Sequence, residues 1–151
     1  MKTICTFVLA IFAVVVHAQA SGSITMFGGM SVQEGGRART LGRVFFENER
    51  ATGAIALNFD TGELVSVRTL RILEIFIPGS TSFVTAEAVA SVRQNGQLRL
   101  VLGTITLMVD DLDLGGLSFP DTMFLSFDAL DGRQFIRHGT LDDGDIAIEL
   151  P

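Results

Sequence analysis

No tryptophan and no tyrosine occur among the 151 residues, and cysteine and lysine occur once each, at Cys5 and Lys2. Each scarcity bears on function. Outer-membrane barrels carry aromatic girdles rich in Trp and Tyr, so an eight-stranded barrel of that kind fits the length of the chain but not its composition. Sugars are usually held on aromatic platforms, which counts against a glycosidase and a carbohydrate-binding module; the Phe residues read as core.

The lone Cys and Lys both lie in the opening segment MKTICTFVLAIFAVVVHAQA. Lys2 is a positive n-region, residues 4–16 form an apolar run, and Ala18-Gln19-Ala20 is a small-residue cleavage site, together the pattern of a secretory signal peptide. A membrane span needs roughly 20 apolar residues, and this run breaks at His17, so no integral span is expected. The domain plan is therefore a signal peptide at 1–20 and a single domain at 21–151, secreted to the extracellular space or the periplasm.

Removing the signal leaves 131 residues with no Cys, no Lys and a charge of −7. Such a domain has no disulfide and must fold on its core, which at this length can bury roughly two thirds of the unfolded surface. The charge is uneven, +1 over residues 21–109 and −8 over residues 110–151. Nucleic acid is excluded as a partner on this balance. An acidic secreted chain gains solubility, and a cation site is the other reading of the same charge.

Helical periodicity is scarce, whereas segments of period two bounded by Gly, Asn-Gly and Asp-Gly recur throughout, predicting an all-β antiparallel domain. In residues 52–60, Ile55, Leu57 and Phe59 fall on one face and Ala56, Asn58 and Asp60 on the other. Asn95-Gly96 predicts a two-residue type I′ hairpin, because both positions tolerate positive φ. Its register sets Ala90 opposite Val101, Ala88 opposite Gly103, Ala86 opposite Ile105 and Val84 opposite Leu107, an apolar face that points inward. The gap over Ala88 and Gly103 calls for a Phe from a facing strand. Counting from Asp131-Gly132 in the same way sets Phe127 opposite Ile136, Leu125 opposite His138 and Phe124 over Gly139. His138 then shares a face with Leu125 and Phe127 as a half-buried packing residue. A turn at Asp142-Asp143-Gly144 leads into a last strand from Asp145 that closes the sheet.

Between residues 63 and 77 the apolar phase changes twice, which predicts a bulged or corner-turning strand. Corners suit a barrel or an orthogonally packed sandwich, of about eight or nine strands.

The stretches GSITMFGG, ATGAIALNFDTGELVSVRTLRILEI, FVTAEAVASV, VDDLDLGGLSFPDTMFLSF and RHGTLDDGDIAIEL follow one another in an order that resembles the post-COAP domain. That is a small secreted all-β domain found at the ends of bacterial surface and secreted proteins. The chain departs from it at RQFIRHGTL, where Phe135 and Ile136 stand in place of the Tyr often found there. The resemblance implies an extracellular β domain with no established catalytic residues, so it carries over no active site, and no cofactor is expected.

One constellation has possible chemistry: Asp110, Asp111, Asp113 and Asp121, with bends at Gly115 and Gly116. Calcium takes six to eight oxygens from carboxylates and carbonyls, which an acidic, glycine-rich loop supplies. The spacing is not an EF-hand, since the twelfth position from Asp111 is Thr122. The alternative is an exposed loop in which Asp side chains cap turns. Without Cys or Lys and with one His, the mature chain builds no Cys-His pair, Ser-Lys dyad or three-histidine zinc site. A Ser-His-Asp arrangement through His138 lacks a Gly-x-Ser-x-Gly elbow. Paired carboxylates drawn from Asp142, Asp143 and Asp145 fall in a turn.

Three functions follow in order: a non-catalytic structural or interaction domain at the cell surface or in the medium with an extracellular partner, a small-ligand-binding β-barrel, and a hydrolase. A ligand barrel requires an interior cavity of a few hundred Å³, and a face at residues 84–92 packed by Phe59, Phe76 or Phe127 would argue against it.

Overall fold

Period-two patterning from residue 21 onward folds into one continuous wall of antiparallel strands. The computed structural model describes residues 21–48, 50–111, 113–114 and 117–150; the expected signal segment lies outside them. The strands are β1 (Ser21–Val32), β2 (Arg37–Glu47), β3 (Arg50–Phe59), β4 (Leu64–Phe76), β5 (Thr81–Gln94), β6 (Gln97–Asp110), β7 (Asp113–Leu114), β8 (Leu117–Ser118), β9 (Thr122–Ala129) and β10 (Gln134–Glu149). Eight of them close a barrel in the order β1-β10-β9-β6-β5-β4-β3-β2, while β7 and β8 pair with each other in the β6–β9 connection. Each barrel strand therefore pairs with its neighbour in sequence, and β10 returns to β1. Of the two architectures the sequence allows, the barrel is the one formed.

Alternation decides which side chains fill it. On β5, Val84, Ala86, Ala88, Ala90 and Val92 are all fully buried, and on β3 Ile55, Leu57 and Phe59 point inward as expected. The small β5 side chains leave space that larger ones from other strands occupy, among them Ile24, Met26, Leu125 and Phe127. Such interdigitation gives a small barrel a packed core rather than a pore. Phe127 closes the gap over Gly103, where an added Cβ would lie 2.8 Å from its ring. It comes from β9, the strand next to β6 with Phe127 opposite Ile105, and not from a facing strand.

The β5–β6 register matches the Asn95-Gly96 count at every pair, from Gln94 opposite Gln97 to Val84 opposite Leu107. The β9–β10 hairpin is one residue away from expectation: Phe127 faces Phe135, Leu125 faces Arg137 and Phe124 faces His138. A slip of one residue exchanges the two faces of a strand. His138 consequently lies on the outer wall, and Gly139 is covered by Met30 rather than by Phe124.

Strand β4 shifts register against β5 at three places, between Leu64 and Ser66, Thr69 and Arg71, and Ile72 and Glu74. These bulges account for the changing apolar phase, since each extra residue re-aims the side chains that follow. Asp142-Asp143-Gly144 is not a turn. It lies within β10, a single 16-residue strand, where the β1 register shifts between Gly29 and Met30. Gly28 (φ +136°) and Gly144 (φ +95°) face each other there, each so close to the opposing backbone that any side chain would collide. Two glycines thus let the long strand bend where the sequence appeared to reverse direction.

Candidate functional site

The acidic residues at the end of β6 are brought to one rim of the barrel and put to separate uses. Asp110 accepts hydrogen bonds from the hydroxyls of its two cross-strand neighbours, Thr81 and, at 3.1 Å, Thr122. Asp121 accepts the Ile146 main-chain N–H at 2.9 Å through its carboxylate and the Leu141 N–H at 2.9 Å through its carbonyl. Asp111 accepts the Ile148 N–H at 3.3 Å. Asp113 lies in β7, its backbone paired with Ser118, and its side chain and Gly115-Gly116 fall outside the described residues. Among the described residues, no three His, Cys, Asp or Glu side chains are grouped to hold a metal ion.

These contacts have a common cause. Strand β9 begins at Thr122, opposite Thr140, so the remainder of β10 has no strand on its β9 side. An open strand edge leaves main-chain N–H groups unsatisfied. The β6–β9 connection supplies acceptors at Leu141, Ile146 and Ile148, two of them charged carboxylates, which bind N–H groups more strongly than neutral oxygens do.

His138 is held by a residue that sequence spacing gave no means of finding. Glu34, in the β1–β2 loop, accepts the His138 main-chain N–H at 3.0 Å and contacts its ring Nδ1 at 2.7 Å. The imidazole rests on Phe124, with ring centroids 4.7 Å apart. Burial by itself would raise the Glu34 pKa, but the hydrogen bonds from His138 outweigh it and hold the carboxyl below its usual range. No Ser or Thr hydroxyl is hydrogen-bonded to this ring among the described residues. Asp142 accepts from the Ser31 hydroxyl at 2.8 Å and pairs with Arg37 at 3.4 Å, while Asp143 accepts the Gly29 N–H, so these carboxylates brace the bulge.

Concave features among the described residues include a groove and a notch. A groove of about 870 Å³ is bordered by Phe27, Gly29, Arg39, Leu41, Asn58 and Asp143. It lies where the double glycine of β1 lacks side chains. A notch of about 420 Å³, lined in part by Arg99, Leu100, Leu102, Leu130 and Arg133, lies where β6 continues beyond the end of β9. Beside it, Asp131 is held below its usual carboxylate range by its hydrogen bonds with Arg133, whose own pKa is raised in return.

Comparison of the chain with protein-family models, with curated proteins and with solved structures gave no match.

Proposed function

We propose that the chain is a secreted, non-catalytic β domain with a structural or interaction role at the cell surface or in the medium. The observation that carries this reading is the filled barrel axis: the β5 face from Val84 to Val92 is fully buried and Phe127, also fully buried, occupies the gap across it. A ligand-binding barrel keeps that volume open. The inside is apolar and the outside bears Arg37, Arg39, Arg68, Arg71 and Glu74, all exposed. These charges stand among exposed apolar side chains such as Leu41 and Leu70, so the outer wall is mixed, unlike the continuous apolar band that an outer-membrane barrel turns to lipid. Recognition then falls to the outer wall and the rims. The resemblance to the post-COAP domain adds the same expectation of an extracellular β module.

The test combines export and catalysis. Expressed in full with a C-terminal tag, the protein is expected in the medium or periplasm with Ser21 as its first residue, read by mass spectrometry. The purified domain is expected to leave ester, glycoside and peptide model substrates unchanged. Turnover that disappears in H138A would overturn the non-catalytic assignment, and retention in the cytosol would overturn the secreted one.

A further inference from the structure

The start of β6 is an open edge whose chemistry asks for another chain. From Gly103 to Asp110 this strand is paired with β9, but the residues before Gly103 have no β9 partner. The Asn95-Gly96 turn fixes which way their main-chain groups point. Gln94 and Gln97 close the hairpin as a hydrogen-bonded pair, so the amides of Gln97, Arg99 and Val101 point toward β5 and those of Leu98, Leu100 and Leu102 point away from it. The carbonyl of Leu102 accepts the Leu130 N–H at 2.9 Å, which confirms the direction. The N–H and C=O groups of Leu98 and Leu100 meet no partner among the described residues.

The side chains at the same positions are exposed as well: Leu98 at 61%, Leu100 at 77%, Leu102 at 53% and the adjoining Leu130 at 80%. Natural sheet edges are usually blunted with charge, proline or a covering loop. Here Leu-Arg-Leu-Val-Leu carries a single charge, and β10, by contrast, has its open edge covered by carboxylates. Arg93, opposite Leu98, and Arg99 are both exposed and neither enters an ion pair among the described residues. The chain as a whole is acidic, so these two free arginines stand out locally, and a second copy paired edge to edge would bring four of them together.

We infer that the β6 edge at Leu98–Leu102 is a docking site for an extended acidic segment of a partner protein, which adds to the barrel wall as a strand. Main-chain hydrogen bonds supply affinity, and alternate side chains supply selectivity. Apolar residues of the incoming strand cover Leu98, Leu100 and Leu102, and a carboxylate on the intervening face meets Arg99, while Arg93, on the leucine face beside Leu98, adds to the local positive charge. This assignment rests on the interaction reading above and gives it a surface and a partner chemistry.

Fluorescence anisotropy with the full mature domain tests it. The probe is a labelled octapeptide alternating Val and Glu, compared with an alternating Val and Lys peptide and with the Val/Glu peptide N-methylated at its valines. Saturable binding of the Val/Glu probe with Kd below about 1 mM is expected, weakened about tenfold or more by N-methylation or by the charge reversal. Leu100→Pro removes an outward N–H and an exposed side chain but no hydrogen bond of the barrel, and is expected to abolish binding with the thermal midpoint little changed. Should that variant fold poorly, Arg99→Glu serves instead and is expected to shift preference to the Val/Lys peptide. Equal binding of the N-methylated probe, or no binding at 1 mM, overturns the docking site while leaving the non-catalytic reading intact. Sedimentation velocity showing a dimer that Leu100→Pro dissolves would overturn the acidic partner in favour of a second copy.

Discussion

The β5–β6 and β9–β10 hairpins begin from near-identical signals, Asn-Gly and Asp-Gly between apolar runs, and end in different registers. At the first, Asn95 (φ 52°) and Gly96 (φ 76°) both adopt the left-handed conformation, and a two-residue loop results. At the second only Gly132 (φ 88°) does so. The Ala129 N–H donates to the Arg133 carbonyl at 2.8 Å and the Gly132 N–H to the Ala129 carbonyl at 3.0 Å, which encloses three residues, Leu130, Asp131 and Gly132. The Asp131 carboxylate holds this wider loop by accepting the Arg133 N–H at 3.2 Å and pairing with its guanidinium at 2.6 Å. Near-identical dipeptide signals therefore yield loops of two and three residues, and loop length chooses which face every later side chain joins.

The largest effect on this comparison comes from Phe127, the ring shared by both hairpins. Phe127→Ala is expected to lower stability by about 3–5 kcal/mol in urea denaturation, as deletion of a buried Phe generally does. A loss below about 1 kcal/mol would show that the two hairpins are not packed through that ring. At the turns themselves, Asn95→Ala forces an L-residue with Cβ to hold positive φ, a cost of about 1–2 kcal/mol. Asp131→Ala meets no such demand and loses only exposed contacts, so its denaturation midpoint is expected to fall less. Equal losses at the two sites would remove the proposed difference between the turns.

The smallest effect concerns His138, which the wider loop turned outward. The Glu34 carboxyl that binds it is held below its unperturbed value of 4.5 in the folded state. A depressed carboxyl contributes stability that is fully present above the unfolded pKa and is lost as pH falls through the folded one. The urea midpoints of wild type and Glu34→Gln are therefore expected to differ modestly at about pH 7 and to converge as the pH falls through the folded-state pKa. A difference that persists in acid would mean that the Glu34 charge is not what binds His138.

The barrel was legible wherever local geometry was self-sufficient. The Asn95-Gly96 pair dictated a register, the alternation at Ile55, Leu57 and Phe59 dictated a face, and the drifting phase of β4 announced bulges. What escaped was set by distant partners. Glu34 contacts His138 across 104 residues, and nothing in Gln33-Glu34-Gly35-Gly36 points to it. Asp142-Asp143-Gly144 has turn composition, yet Gly28 and Gly29 on the opposing strand let it remain extended. The acidic loop read as a cation site or a set of caps, and the positions that make Asp111 and Asp121 acceptors for β10 follow from β9 being short, which composition does not reveal. Alternation puts the leucines of β6 on the outer face, but their unpaired main chain becomes visible only once β9 is placed.

The pairing of β10 with β1 sets an order of events for the chain. Ser23 faces Glu149, and their side chains are hydrogen-bonded at a sequence separation of 126. No earlier strand can substitute for that contact, so a chain lacking its final segment has a cylinder split along its length, with β1 open on one side and β9 on the other. Closure of so distant a pair places the domain among slow-folding, high-contact-order topologies. A polypeptide that cannot seal its wall until its last strand arrives stays threadable until then.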